Sequence, residues 1–393
     1  MPDQVVIIGA GHAGGAAAIS LRELGFSGQI HVIGDEKLLP YERPSLSKEY
    51  LSGVESEPVW LAAEDRWELL DVQFRLGSAA QQIDRERGVV VLGDGSELAF
   101  DHLILAMGGK VRRLSLPHHP AIHYLRTTED ADGLAATAKT ARRALIIGGG
   151  VIGLEAASTL KSQGLEVTLL EAGERILSRN IPEEPANWLA EAHARKGVNI
   201  LNQSTLEQIE PQADGSVIAI LADGRRIETD LIVAGIGIIP CTDLAEQAGL
   251  TLQGGVVVDA GYRSIDDDRI HAIGDLAVRQ DWGNRMETWA HAQSSARAAA
   301  VAIMGQPAER EPAPWFWTAQ CGHNLQILGA PSVGETVVAA AEGVRHYYRD
   351  NILVGAVCLD QPRAFAAARR MLGKPMAVEP APRVQAVREL VAA

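Results

Sequence analysis

Residues 5–17 read VVIIGAGHAGGAA, and residues 144–157 read ALIIGGGVIGLEAA. Gly9, Gly11 and Gly14 in the first stretch, and Gly148, Gly150 and Gly153 in the second, share the spacing G-x-G-x-x-G. A run of branched aliphatics precedes each triplet, as expected of a strand buried on both faces. Alanine-rich sequence with helical character follows each triplet. A second apolar strand then ends in acid, at Asp35 and Glu36 in IHVIGDE and at Glu171 in VTLLE. The duplicates stay in step beyond the glycines: Gly14, Ala17, Leu21 and Gly25 match Gly153, Ala156, Leu160 and Gly164. A glycine triplet inside a complete strand–turn–helix–strand unit predicts a dinucleotide site. The first glycine allows the tight turn, the second lets backbone approach a pyrophosphate, and the third packs helix on strand. The phosphates then meet free N–H groups at the helix start, and the acid receives the ribose hydroxyls. Two such units predict two dinucleotides and electron transfer between them.

Composition narrows the class. At 393 residues the chain has room for two or three domains. A net charge of −14 argues against nucleic acid, whose phosphates need a basic surface. No apolar run reaches the roughly 18 residues of a membrane span, and the first residues lead directly into a strand without a signal-peptide pattern. Cys241, Cys321 and Cys358 are scattered, with neither C-x-x-C nor metal-ligand spacing. The expectation is a cytoplasmic protein, with no metal, nucleic-acid or membrane partner.

Between and beyond the two units the pattern is alternating. LPYERPSLSKEYL (39–51), with prolines at 40 and 44, reads as a loop entering a helix. Strands follow in 74–109, with a turn at Gly93–Gly95, and again in 217–240. EREPAP (309–314) is a charged, proline-rich boundary. In the last segment Asp350-Asn351 lies between apolar runs and predicts a hairpin turn. PRAFAAARRML predicts a helix. The fold class is therefore α/β, with two Rossmann-like dinucleotide-binding domains and a C-terminal α+β domain.

The ordered set PYERPSLSK, LILAMGG, LRTTEDA, GIGIIP, HAIGD, RMETWAHAQ and PWFW resembles the FAD-dependent, NADH-oxidising ferredoxin reductases, including those of Rieske-type aromatic-ring dioxygenases. Rubredoxin reductases are close relatives. The resemblance covers almost the whole chain. It implies a glutathione-reductase-like arrangement: an FAD-binding domain of residues 1–110 and 238–312, interrupted by an NADH-binding domain of 111–237. Residues 313–393 would form a C-terminal domain that docks the acceptor. The implied partner is a [2Fe–2S] or Rieske-type ferredoxin, feeding a terminal oxygenase of aromatic hydrocarbon catabolism.

The resemblance also implies site residues. Ala13 would lie beside the FAD pyrophosphate, Asp35 or Glu36 on its ribose, and Ala80 by the adenine. Arg43 and Lys48 would serve the flavin side, with a surface salt bridge and a solvated helix-start lysine as their ordinary alternatives. Arg126 would contact cofactor, or pair with Glu129 or Asp130. Asp275, after a strand ending in Gly, suits the ribityl hydroxyls; helix N-capping is the other reading. Trp289 would offer its backbone N–H to the flavin pyrimidine, or serve as core. Met107 replaces the threonine usual in this superfamily. At the second site Glu171, 23 residues after Gly148, accepts from a free 2′-hydroxyl and repels a 2′-phosphate, favouring NADH. Arg175 would face the adenosine or pair with Glu171. Glu155 would lie near nicotinamide, facing Lys48 across the flavin, and Gly237 would admit the nicotinamide end.

Hydride would pass from NADH to FAD, with Lys48 stabilising the reduced flavin and Glu155 orienting Lys48. Residues 37–52 contain no cysteine, so a disulfide-reducing site is not expected there. A monodehydroascorbate or quinone reductase is the alternative enzyme. A redox-sensing binding protein like apoptosis-inducing factor is the non-enzymatic one. Residues 363–388 carry Arg363, Arg369, Arg370, Lys374, Arg383 and Arg388 against Glu379 alone, a basic face suited to an acidic ferredoxin or to plain solvation.

Overall fold

The computed structural model describes residues 3–179 and 181–376. Strand β1 (Gln4–Ile8), helix α1 (His12–Glu23) and strand β2 (Gln29–Gly34) form the first glycine unit. Strand β3 (Arg143–Ile147), helix α2 (Val151–Ser162) and strand β4 (Glu166–Leu170) form the second. In both, the strands run parallel, with Gln4 opposite Gln29 and Arg143 opposite Glu166. Val5, Val6, Ile7, Leu145 and Ile146 are fully buried, which accounts for aliphatic runs without alternation.

Each unit is the centre of a five-stranded parallel sheet. The first is ordered Ile270–Ala272, His102–Leu105, β1, β2, Val72–Leu76. The second is ordered Ile122–His123, Leu231–Ala234, β3, β4, Asn199–Leu201. Both carry a three-stranded antiparallel appendage, at Ala80–Asp84, Val89–Leu92 and Glu97–Ala99 and at Leu206–Pro211, Val217–Leu221 and Arg226–Thr229. The first sheet takes its outer strand Ile270–Ala272 from chain that follows the second sheet. The outgoing and returning segments pair side by side, Gly109–Val111 antiparallel to Ile238–Pro240.

Helix α3 (Trp289–Ile303) shares one core with α1, Ala296, Ala299 and Ala300 lying with Ala16, Ala17 and Ala18. Strand β5 (Trp315–Gln320) then opens an antiparallel sheet ordered β5, His323–Gly329, Ile352–Leu359, Val344–Arg349, Thr336–Ala341. Helix α4 (Pro362–Met371) covers it by burying Phe365 and Ala368 against Leu328, Val344 and Cys358. At the hairpin, Asp350 and Asn351 both take left-handed backbone, φ 48° and 63°, the pair of angles a type I′ turn requires.

The stretch 39–51 differs in detail from a loop entering a helix. It forms a two-residue strand (Tyr41–Glu42), a 3-10 turn (Arg43–Ser47) and a single helical turn (Glu49–Ser52). Pro44 lies inside the 3-10 turn, where its lack of an N–H is tolerated.

Candidate functional site

One cleft of about 1520 Å³ runs from the turn before α1, past Lys48 and Glu155, to the turn before α2. Gly9, Gly11, Ala13, Asp35, Glu36, Arg43 and Ala80 line one arm; Gly148, Gly150, Glu171 and Gly237 line the other. Gly9 (φ +116°) and Gly148 (φ +105°) hold equivalent positions, and a Cβ there would overlap the carbonyls of Ala106 and Gly235. Gly14 and Gly153 press equally close on Gly9 and Gly148. Both helices start without a side-chain cap and without an acid in the first turn, so their leading N–H groups face the cleft.

The two acids after β2 are not equivalent. Glu36 accepts from the Tyr41 hydroxyl at 2.5 Å and from Arg43 at 2.6 Å, committing both oxygens. Asp35 accepts only the adjacent Glu36 N–H, at 3.0 Å, among the described residues. Arg43 is no surface ion pair: its guanidinium also donates to the Arg126 carbonyl at 2.5 Å and lies 5.2 Å over the Tyr41 ring. Arg126 does not pair with Glu129 or Asp130. Its guanidinium reaches Asp275 at 3.2 Å, while Asp130 takes the Arg126 and Thr127 N–H groups as part of the next helix's capping box. Asp275 caps no α-helix; it sits within the 3-10 turn Gly274–Leu276, and Thr288 caps α3.

Trp289 is the first residue of α3. Its ring lies 5.1 Å from His12, 5.8 Å from Trp317 and 6.4 Å from Trp315. Both His12 nitrogens are buried without a partner among the described residues. Burial pushes the His12 imidazole down to about 4, against the pull of Asp275. These orphaned groups, the uncommitted Asp35 oxygen and the glycine turns suit a large polar ligand carrying a diphosphate and a diol.

In the second arm, Glu171 accepts from the Gly149 N–H and from the Gly173 N–H, both at 2.7 Å. The carboxylate is thereby fixed at the tip of β4. Arg175 does not pair with it; the guanidinium donates to the Ile176 carbonyl at 3.2 Å. Gly237 has φ +94°, and a Cβ there would meet nothing, so its backbone angle is what requires glycine.

The arms meet at an ion pair. Lys48 Nζ lies 2.8 Å from Glu155 Oε2, with 13% and 3% of the two side chains exposed. The expected separation of these residues across a ring is therefore corrected: they touch directly. Glu155 also accepts from the Ser47 hydroxyl at 2.5 Å and the Thr318 hydroxyl at 2.7 Å. Lys48 holds the N-cap position of Glu49–Ser52 and is not a solvated lysine. Sequence reading missed His12, Ser47, Thr318 and Arg179, the last lining the cleft. His12 stood inside the first fingerprint, but the rings around it come from residues far along the chain.

Outside the cleft, Arg363, Arg369, Arg370 and Lys374 are exposed. Arg369 lies 5.7 Å over the Trp315 ring. Arg383, Arg388 and Glu379 fall outside the described residues. Among the described residues no helix is long and apolar enough to cross a membrane.

Residues 3–296 match the family described as pyridine nucleotide-disulphide oxidoreductase, and residues 315–392 match the reductase C-terminal family. The chain is 37% identical to the 3-phenylpropionate/cinnamic acid dioxygenase ferredoxin–NAD(+) reductase component of Photorhabdus laumondii, over 95% of this chain and 97% of that one. It is 36% identical to the corresponding component of the p-cumate 2,3-dioxygenase system of Pseudomonas putida, over 96% and 95%. Among solved structures, it resembles the reductase in a covalent putidaredoxin reductase–putidaredoxin complex, with TM-score 0.90, 31% identity and coverage of 96% and 94%. It likewise resembles the ferredoxin reductase of the CYP199A2 system from Rhodopseudomonas palustris, with TM-score 0.90, 32% identity and coverage of 95% and 96%.

Proposed function

The chain belongs to the pyridine nucleotide-disulphide oxidoreductase family, and we propose that it is an FAD-dependent NADH:ferredoxin reductase serving an oxygenase system. The observation that carries this reading is the single cleft whose two glycine turns converge on the Lys48–Glu155 pair, with no cysteine in the adjoining loop. We assign FAD to residues 1–110 and 238–312, NADH to 111–237, and acceptor docking to 313–393. We take Asp35 as the FAD ribose acid, because Glu36 is neutralised by the Arg43 guanidinium and holds the Tyr41 hydroxyl, whereas Asp35 accepts only the adjacent Glu36 N–H among the described residues.

When bound, FAD and NADH supply hydride transfer between flavin and nicotinamide, and the one-electron release that an iron–sulfur acceptor requires. The protein supplies placement and charge. Lys48 keeps a cation at the junction of the two arms, and Glu155 holds its Nζ in one position. Arg126 and Asp275 neutralise each other while keeping a donor and an acceptor on the cleft wall. Trp289, Trp315 and Trp317 close the wall against water with stacked and edge-on rings. The free cysteines and the use of NADH fit a cytoplasmic setting.

The test is anaerobic titration with NADH, followed by mixing with plant-type [2Fe–2S], Rieske-type and rubredoxin acceptors. Bleaching of a yellow protein, then rapid reduction of an iron–sulfur acceptor, is expected. A protein that binds no FAD, or one that NADH reduces but only quinones re-oxidise, would overturn it.

A further inference from the structure

Strand β5 distributes its side chains between two sites, because successive residues of a strand face opposite ways. Trp315 and Trp317 turn toward Trp289. Phe316, Thr318 and Gln320 turn the other way, and Phe316 packs into the core of the second sheet. Thr318 and Gln320 are 0% and 3% exposed, and Glu155 is 2% exposed. The Gln320 amide nitrogen donates to Thr318 Oγ1 at 2.8 Å. The Thr318 hydroxyl therefore receives on its oxygen and spends its only proton on Glu155 Oε1, at 2.7 Å. Behind Gln320 stands His193, 0% exposed, its Nε2 2.6 Å from the Gln320 carbonyl oxygen. With that oxygen accepting, the imidazole carries its proton on Nε2.

The three hydrogen bonds from His193 through Gln320 and Thr318 run toward the same carboxylate. Ser47 and Lys48 occupy Oε2, and Thr318 is the hydrogen-bond partner of Oε1 among the described residues. A carboxylate held at one oxygen only is free to turn about its last torsion, and the Lys48 ammonium would follow it. A buried acceptor left without a donor also carries the full cost of its lost hydration.

We propose that Thr318, aligned by Gln320 and His193, is the positioning residue that fixes Glu155 and through it Lys48 for hydride transfer. The C-terminal module thus completes the reducing site as well as carrying the acceptor face. This inference rests on the function proposed above.

Thr318→Val keeps the shape and removes the hydroxyl. With FAD content at the parent level, its anaerobic flavin reduction by saturating NADH should slow by about tenfold or more, the scale of one hydrogen bond to a charged group. The deuterium isotope effect on turnover with 4-deuterated NADH should rise, as hydride transfer becomes the slow step. Thr318→Ser should restore both, and Gln320→Leu should show a weaker form of the same pair of changes. An unchanged reduction rate in Thr318→Val overturns the proposal. So does a slower rate with an unchanged isotope effect and no rescue by serine, which would make the hydroxyl a structural staple. If Thr318→Val fails to retain FAD, Gln320→Leu decides by the same two readouts. A parent protein that holds FAD but is not reduced by NADH would instead refute the underlying function.

Discussion

Replacing Glu171 by alanine should erase a preference for NADH over NADPH. The carboxylate is anchored by the Gly149 and Gly173 N–H groups and cannot swing away from the tip of β4. A ribose diol placed there donates to a fixed anion, a bond of about 1.5–3 kcal/mol, or roughly 10- to 150-fold in kcat/KM. A 2′-phosphate at the same place meets like charge. At about 5 Å and an effective dielectric of about 20, each pair of unit charges repels by about 3 kcal/mol before screening. The parent should therefore favour NADH by at least about tenfold, with much of the penalty against NADPH removed in Glu171→Ala. Arg179 lines the same cleft, and where Glu171→Ala gains in absolute NADPH efficiency the double variant with Arg179→Ala should lose that gain. The assay is steady-state kcat/KM for both coenzymes with a small neutral acceptor. Glu171→Gln controls for the loop, since its one carbonyl oxygen still accepts from a backbone N–H. Equal efficiency with the two coenzymes in the parent, or an undiminished preference in Glu171→Ala, would refute the reasoning.

Lys48→Ala strands Glu155 at 2% exposure with hydroxyl donors alone. It should destabilise the protein by about 3–5 kcal/mol and slow stopped-flow flavin reduction, measured beside a thermal melt. His271 is 1% exposed, with neither ring nitrogen partnered among the described residues, and burial pushes it down to about 3. Its folded pKa is depressed, so the unfolded chain takes up the proton first. Stability is full above about pH 6.5 and falls as pH drops toward 3, by about 2 kcal/mol at pH 5. Melts of His271→Gln across pH 7 to 5 should show a shallower decline. Reversing charge at Arg369 and Arg370 should lower turnover of an acidic ferredoxin at low salt and spare a neutral acceptor, with the difference vanishing as ionic strength rises.

The parallel units were readable because their signals are local. Aliphatic runs, glycine spacing and the closing acid all fall within some thirty residues, and the second copy repeats them. The Asp350-Asn351 turn was readable for the same reason. The junction was not local: the resemblance paired Glu155 with Lys48, but neither their direct contact nor the part of Thr318 was legible. Lys48 meets Glu155 across 107 positions, and Thr318 reaches it across 163. Nothing in either local sequence states that distance. The choice between Asp35 and Glu36 was undecidable for a related cause. The preference for Asp35 proposed above rests on Tyr41 and Arg43 folding back onto Glu36, through a 3-10 turn that two prolines announce only as a break.

Helix α2 touches all three parts of the molecule. Thr159 donates to the Ser47 carbonyl at 2.8 Å, Gln163 on the adjoining turn donates to the Leu51 carbonyl at 3.2 Å, and Ser158 accepts the Cys321 N–H at 2.7 Å. This limits how far such proteins can be recombined. A coenzyme unit transplanted from a relative would bring its own helix face, matched to loop and strand partners left behind in the donor. Chimaeras should succeed only when residues 47–51 and 318–321 travel with the helix. The interchangeable part is therefore a patchwork drawn from three stretches of chain, not the contiguous block that the sequence delimits.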